Sequence, residues 1–215
     1  MIEVEKAPEP IQLALKRAID LVGAIVLIVL FSPLLVAIVI AIRLDSKGSP
    51  IFRQRRLGLR MQEFDILKFR TMVKDAETIG TGVFTNANDS RITKVGSWLR
   101  RYSLDELPQL FNVLFGQMSF IGPRPPVVYH PYVAENYPAM YVRRFDMKPG
   151  ITGLAQVNGR ANLTWPQRFV LDMQYIDNYT VMSDMAIILS TLIKVLSKED
   201  VFPSEDFIEK NHTKT

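Results

Sequence analysis

The stretch LRRYSLDELPQL at 99–110 sets Arg100, Arg101, Asp105 and Glu106 within seven residues. Ser103 to Glu106 has the spacing of a capping box, in which Glu106 reaches back to the Ser103 amide. Acidic side chains also suit the first turn of a helix, where the backbone dipole is positive. On the pattern alone that capping reading comes first. The same geometry allows chemistry. A helix N-terminus beside two arginines attracts phosphate. A carboxylate held there could attack phosphorus, as aspartate does in aspartyl-phosphate enzymes. A diphosphate would repel that carboxylate, so arginines and a divalent cation would have to neutralise the repulsion. GPRPP at 122–126 adds Arg124 between prolines. Their stiffness lowers the entropy lost when Arg124 grips a ligand.

Other chemistries are poorly served. The chain has no cysteine, which excludes disulfides, thiolate metal sites and cysteine nucleophiles. His130 and His212 are the only histidines and stand far apart, so zinc chemistry is not expected. His130 in YHPY reads as a packed ring rather than a base. No Ser-His-Asp elbow and no phosphate-cradling P-loop is present, and GTG at 80–82 is too short for a dinucleotide fingerprint. The formal charge is +4 and the pI about 9.3, which points to an anionic surface or substrate more than to nucleic acid. RQRRLGLR at 53–60 holds Arg53, Arg55, Arg56 and Arg60, a solvated turn or a contact to anionic headgroups.

These residues need positioning, and the most prominent element is apolar. Residues 21–42 carry no charged side chain. As a straight helix they would measure about 33 Å, enough for a hydrocarbon core of roughly 30 Å. Pro33 interrupts the run, and Ser32 could satisfy a carbonyl that the proline frees or cap a restarted helix. Lys16 and Arg17 precede the run; Arg43 and Lys47 follow it. Basic flanks favour the cytoplasmic side, so a straight span would strand one of them. A hairpin of two half-length helices, broken at Ser32-Pro33, keeps both inside. A kinked single span is the alternative.

The segment 11–20 reads as helix leading into that run. SPIFRQ and QEFDILKFRTM suggest a β-hairpin around RLGLRMQ. Residues 72–79 suggest a short helix and 79–90 a loop. DSRITKVGSWLRRY suggests a helix capped by Asp89 or Ser90, and SLDELPQLFNVLFG another, stopped by Gly116. FIGPRPP and KPGITGLAQVNGR read as loops. Thr164 caps a further helix with Pro166 in its first turn. In SDMAIILSTLIKVL, Met185, Ile188, Leu189, Leu192, Ile193 and Leu196 form a stripe, facing either the core or a lipid interface.

Taken together, the Ser32-Pro33 break, KFRTM at 68–72, DSRITKVG at 89–96, LRRYSLDELPQLFNVLFGQMSFIGPRP at 99–125 and KPGITGLAQVNGR at 148–160 resemble the bacterial sugar transferases. These are the monotopic phosphoglycosyl transferases, or polyprenyl-phosphate hexose-1-phosphate transferases. The matching segments run in order across roughly residues 11–197. The resemblance implies an α+β, mainly helical fold. It has a re-entrant membrane helix (11–47), a compact cytosolic catalytic domain (48–197) with a small β-hairpin and interfacial amphipathic helices, a flexible N-terminus (1–10) and a C-terminal tail (198–215). Larger relatives carry a further N-terminal membrane domain, so the chain reads as a short form.

The resemblance also implies the chemistry. Asp105 would attack the sugar-bearing phosphate of a nucleoside diphosphate sugar and hold a covalent phosphosugar, releasing UMP from a UDP-sugar. A polyprenyl (undecaprenyl) phosphate would then accept the phosphosugar, starting a glycoconjugate. Glu106, with Asp105, would hold Mg²⁺. Arg100 would contact phosphate, and Arg124, with Pro123 and Pro125, would face the nucleotide. Lys68 and Arg70 would also contact phosphate. The implied location is the cytoplasmic face of the bacterial inner membrane, with lipid as a partner, no nucleic acid, and a homo-oligomer left open. Members of the family often carry lysine and aspartate where this chain has Phe115 and Gln117. The competing expectation is a non-catalytic scaffold whose arginines bind anionic lipid.

Overall fold

The structure, a computed structural model, describes residues 9–76, 89–159 and 162–197. Its longest element is the helix α1 (Pro10–Asp45), which opens with Pro10 in its first turn. Pro33 lies inside this helix rather than between two helices, so the expected pair of half-length helices is replaced by one continuous element. The reason is local. Pro33 lacks an N–H, which leaves the Val29 carbonyl without its usual partner one turn back. The Ser32 hydroxyl donates to that carbonyl at 2.8 Å.

Both flanks of α1 are fastened to the rest of the chain. Near the start, Lys16 Nζ donates to Asp184 Oδ2 at 2.6 Å, and Arg17 donates to the carbonyls of Val113 and Leu114. Asp20 accepts from the Ser119 hydroxyl and the Phe120 amide. At the far end, Asp45 Oδ2 accepts from the Val95 amide, and Arg70 donates to the Ser46 carbonyl. Between the flanks, Ile25, Val26, Val29, Leu30 and Val36 are exposed.

β1 (Ile51–Leu57) and β2 (Glu63–Phe69) form the expected antiparallel hairpin, with Ile51 opposite Phe69 and Leu57 opposite Glu63. Strand alternation turns Phe64 and Ile66 into the core. They pack with Ala24 of α1 and with Val113 and Met118. Phe69 joins Ile38, Ile42 and Leu99 in a second cluster.

α2 (Lys94–Arg101) begins later than the sequence suggests. Thr93 caps it, accepting from the Gly96 amide at 3.0 Å. Asp89 is instead committed to Arg91, and Ile92 bridges Met72. Gly96 sits so close to the preceding chain that a Cβ would lie 2.0 Å from the Thr71 carbonyl oxygen. The helix expected from Ser103 splits into a 3₁₀ turn (Leu104–Glu106) and α3 (Gln109–Leu114), with Gly116 beyond its end at φ 80°.

β3 (Ser119–Ile121) pairs in parallel with β4 (Gly150–Thr152), so the two segments read as loops each contribute a strand. Between them lies the short α4 (Ala139–Val142). α5 (Leu154–Val157) follows β4 directly, a helix inside a stretch read as loop. α6 (Trp165–Asp177) starts at Thr164 as expected, the Gln167 side chain accepting from the Thr164 amide. α7 (Val181–Ser197) turns Asp184 and Ile187 inward. Met185, Leu189, Leu192, Ile193 and Leu196 point outward, with Leu196 80% exposed, and Ile188 is half-buried. The core-facing reading of that stripe is therefore overturned for all but Ile188.

The helix suggested over 72–79 lies partly outside the described residues; of the rest, Met72 is in a bridge, 74 and 75 are in a turn, and Ala76 is 3₁₀-helical. Most of the 79–90 loop and both termini are likewise outside them.

Candidate active site

Three elements meet at the acidic pair. The 3₁₀ turn supplies Asp105 and Glu106, β2 supplies Lys68, and the proline-rich loop after β3 supplies Arg124. Lys68 is on the same strand face as Phe64 and Ile66, so the alternation that builds the core also aims its ammonium at the turn. Lys68 Nζ and Arg124 Nη2 each donate to Glu106 Oε1 at 2.8 Å.

The capping box does not form. Ser103 has φ 55° and ψ 21°, whereas a capping residue needs an extended backbone. No side-chain cap bond is present at Ser103, and the Glu106 carboxylate points to the two cations instead. The structural reading favoured by the local pattern is thus overturned by long-range partners.

The two neighbouring carboxylates sit in different fields. Burial would raise the Glu106 pKa, but the charges of Arg124 and Lys68 outweigh it and hold the group below the usual carboxylate range. Burial raises Asp105; Lys68 opposes the rise and the Glu106 charge adds to it. Asp105 is half-buried and accepts no hydrogen bond from the described residues. Burial lowers the Lys68 pKa despite Glu106. The Glu106 charge raises that of Arg124.

Arg100 lies close enough to feel the Asp105 charge, and its Nε donates to Thr71 Oγ1 at 2.9 Å. Arg70 is not part of the site. Its guanidinium donates to the Ser46 and Ser49 carbonyls and the Ser46 hydroxyl, holding the end of α1. β2 ends at Phe69, so the alternation that would have set Arg70 beside Lys68 is lost one residue too soon.

Pro123, Pro125 and Pro126 have no N–H to donate, yet four consecutive carbonyls of this loop are all engaged. Pro123 O accepts from the Gly150 amide and Pro126 O from the Leu57 amide, at 3.0 Å each. Arg144 donates to Arg124 O at 2.8 Å, and Arg56 to Pro125 O at 2.9 Å. Arg144 is itself paired with buried Asp172. Local sequence pattern did not single out Arg144, Asp172 or Thr71, whose partners are distant in the chain. Asn112 was also missed: its side chain bonds the Leu67 amide and Asp65 carbonyl, docking α3 along β2.

His130 packs as expected, accepting from Trp165 Nε1 at 2.8 Å against the indole edge. Gln117 Oε1 accepts from Asn112, and Phe115 is 70% exposed. Among the described residues no group of three or more His, Cys, Asp or Glu side chains gathers as a metal site. Both bonds to Glu106 fall on Oε1, which leaves Oε2 and the Asp105 carboxyl without donors among the described residues. A Mg²⁺ ion fits such a pair, because it takes one or two carboxylates and completes its shell with water and phosphate oxygens. A cavity of about 310 Å³ lies elsewhere, between α5, α6 and α7, and none of the acidic pair lines it.

The family model for bacterial sugar transferases matches residues 11–198. The undecaprenyl-phosphate glucose phosphotransferase of Komagataeibacter xylinus is 39% identical over 87% of this chain and 37% of its own length. The UDP-glucose:undecaprenyl-phosphate glucose-1-phosphate transferase of Escherichia coli (strain K12) is 43% identical over 84% of this chain and 40% of its own. The uncharacterized sugar transferase EpsL of Bacillus subtilis (strain 168) is 41% identical over 87% of this chain and 90% of its own length. The chain thus spans less than half of the two glucose-phosphate transferases and most of the third.

Proposed function

This chain belongs to the bacterial sugar transferase family, and on that premise we propose that it transfers a sugar 1-phosphate from a UDP-sugar to undecaprenyl phosphate. The observation that carries the reading is the division of labour in the acidic pair. Glu106 is charge-compensated by Lys68 and Arg124, while Asp105 faces the site without a donor among the described residues.

In the proposed reaction an Asp105 carboxylate oxygen attacks the phosphorus that bears the sugar. The bond from that phosphorus to the bridging oxygen breaks, and UMP leaves with the electron pair. The resulting acyl phosphate is then attacked by an oxygen of undecaprenyl phosphate. The Asp105–phosphorus bond breaks, the carboxylate is restored, and undecaprenyl-diphosphate sugar departs. Arg124 and Arg100 would stabilise phosphate charge, and Lys68 would do so by way of Glu106 and the field at Asp105. Glu106 Oε2 and Asp105 would hold Mg²⁺, which neutralises charge on the diphosphate when bound.

The acceptor lies in lipid and the donor in cytosol, so the site belongs at their boundary. We read α1 as entering and leaving the membrane on the cytoplasmic face. Arg17 and Ser46 are 29 residues apart, about 44 Å along a straight helix. Both are bonded to the same body, through Val113 and through Arg70. A straight span would carry them to opposite sides of roughly 30 Å of hydrocarbon. The outward stripe of α7 fits an interfacial position. A lipid-binding scaffold would use the exposed Arg53, Arg55 and Arg60, but it gives no role to the pairing of Glu106 with Lys68 and Arg124 beside Asp105. Incubation with a panel of UDP-sugars and undecaprenyl phosphate tests the proposal: UMP release with at least one sugar supports it, and release with none rejects it.

A further inference from the structure

The proline-rich loop is held by Arg144, which no motif marks, and by Arg56, which lies in the basic 53–60 cluster but turns to the loop. A proline loop cannot secure itself through its own amides, so its carbonyls must find donors elsewhere. At Arg124 and Pro125 those donors are guanidinium groups. Arg144 Nη2 donates to Arg124 O at 2.8 Å, while its Nε and Nη2 donate to Asp172 Oδ2 at 3.0 and 2.7 Å. Arg144 and Asp172 are each 2% exposed, so neither can reach a substrate in solvent. The Arg144 guanidinium also lies over the Phe145 and Phe169 rings, which fixes its plane. At the next residue, Arg56 Nη1 donates to Pro125 O at 2.9 Å.

We infer that Arg56 and Arg144 are positioning residues, which clamp two successive carbonyls of the loop and thereby set the Arg124 guanidinium on Glu106. Asp172 holds Arg144 in the orientation that reaches the loop. The inference rests on the proposed transfer only for its kinetic consequence; the clamp itself is a claim about geometry. Misplacing a charged group by about 1 Å is enough to cost on the order of 100-fold in rate.

The test is a double-mutant cycle in the full chain held in lipid nanodiscs, read both as UDP-sugar turnover and as the unfolding midpoint in denaturant. The variants are Arg56→Gln, Arg144→Lys and Arg124→Gln, singly and with Arg124→Gln added to each clamp change. Arg56→Gln lowers turnover about 10- to 100-fold, and Arg56→Lys, which retains a donor, recovers most of it. In the Arg124→Gln background the Arg56 change has little further effect on turnover and a smaller effect on the unfolding midpoint than in the unaltered chain. Effects that multiply in the double variant, or no loss with Arg56→Gln, would overturn the inference. If Arg144→Lys does not fold, the Arg56 cycle still decides. If the unaltered chain transfers no sugar phosphate, the functional reading falls, and the unfolding cycle alone judges the clamp: coupling between Arg56 and Arg124 upholds it, additivity rejects it.

Discussion

Glu106, not its neighbour Asp105, takes both nearby cations: Lys68 Nζ and Arg124 Nη2 meet on its Oε1, each at 2.8 Å. Consecutive residues on one tight turn thus acquire opposite roles. One is a fixed counter-charge. The other is a carboxylate whose ionised form is disfavoured by burial and which has no donor among the described residues.

The first prediction concerns stability. The folded pKa of Glu106 is depressed, so its contribution is present above its unfolded value and is lost only as pH falls through the folded one. Glu106→Gln at neutral pH removes that contribution and leaves Lys68 and Arg124 without their anion. A loss of about 3 kcal/mol is expected in denaturant unfolding. Asp105 has the opposite sign. Its folded pKa is raised, so its contribution is fully present below the unfolded pKa and is lost as pH rises through the folded value. Asp105→Asn should therefore leave neutral-pH stability unchanged or higher; a marked loss would contradict the assignment.

A second prediction concerns pH and rate. The nucleophile must be ionised, and burial raises its pKa. The acid limb of kcat/KM should therefore lie above the ordinary aspartate value of about 3.9. Burial also lowers the Lys68 pKa, so Lys68 loses its charge at a lower pH than an exposed lysine. An alkaline decline below the usual lysine range is expected, and Lys68→Arg should move it upward. A flat profile from pH 4 to 10 would disagree with both.

Arg70 gives a third. Its bonds go to the end of α1, not to the acidic pair. Arg70→Met should cost about 2–3 kcal/mol of stability, because several carbonyls lose a charged donor. The KM for sugar nucleotide in the folded fraction should be unchanged. A selective rise in KM with stability intact would return Arg70 to the substrate site.

The fourth exploits the absence of cysteine, which makes every introduced thiol a unique label. Glu9→Cys and Lys47→Cys flank α1 at its two ends. A thiol reagent that does not cross membranes should fail to label either in intact cells and should label both in inverted vesicles. Labelling of one end only from outside would establish a true span.

Much of this was legible in the sequence wherever the determinant is local. The β1–β2 hairpin follows from alternation, α6 from Thr164 and Pro166, and the Ser32 hydroxyl's use from the missing Pro33 amide. What failed was set by distant partners. Ser103 through Glu106 spells a cap, but Lys68, 38 residues away in sequence, and Arg124, 18 away, claim the carboxylate. The stretch KPGITG looks like a loop until β3 offers it an edge to pair with. Arg70 shares strand parity with Lys68, yet β2 stops before that parity can act. The α7 stripe carries the periodicity of a core face, and only the packing of Asp184 and Ile187 shows that the other side is turned inward.

The central claim is a covalent bond between Asp105 and phosphorus. Enzyme quenched during turnover of a UDP-sugar, digested and analysed by mass spectrometry, should show the Asp105 peptide heavier by one hexose phosphate, or by the corresponding sugar phosphate. The added mass should disappear on chase with undecaprenyl phosphate and never form in Asp105→Asn. Productive transfer with no adduct at Asp105, or an adduct on another residue, would contradict the account.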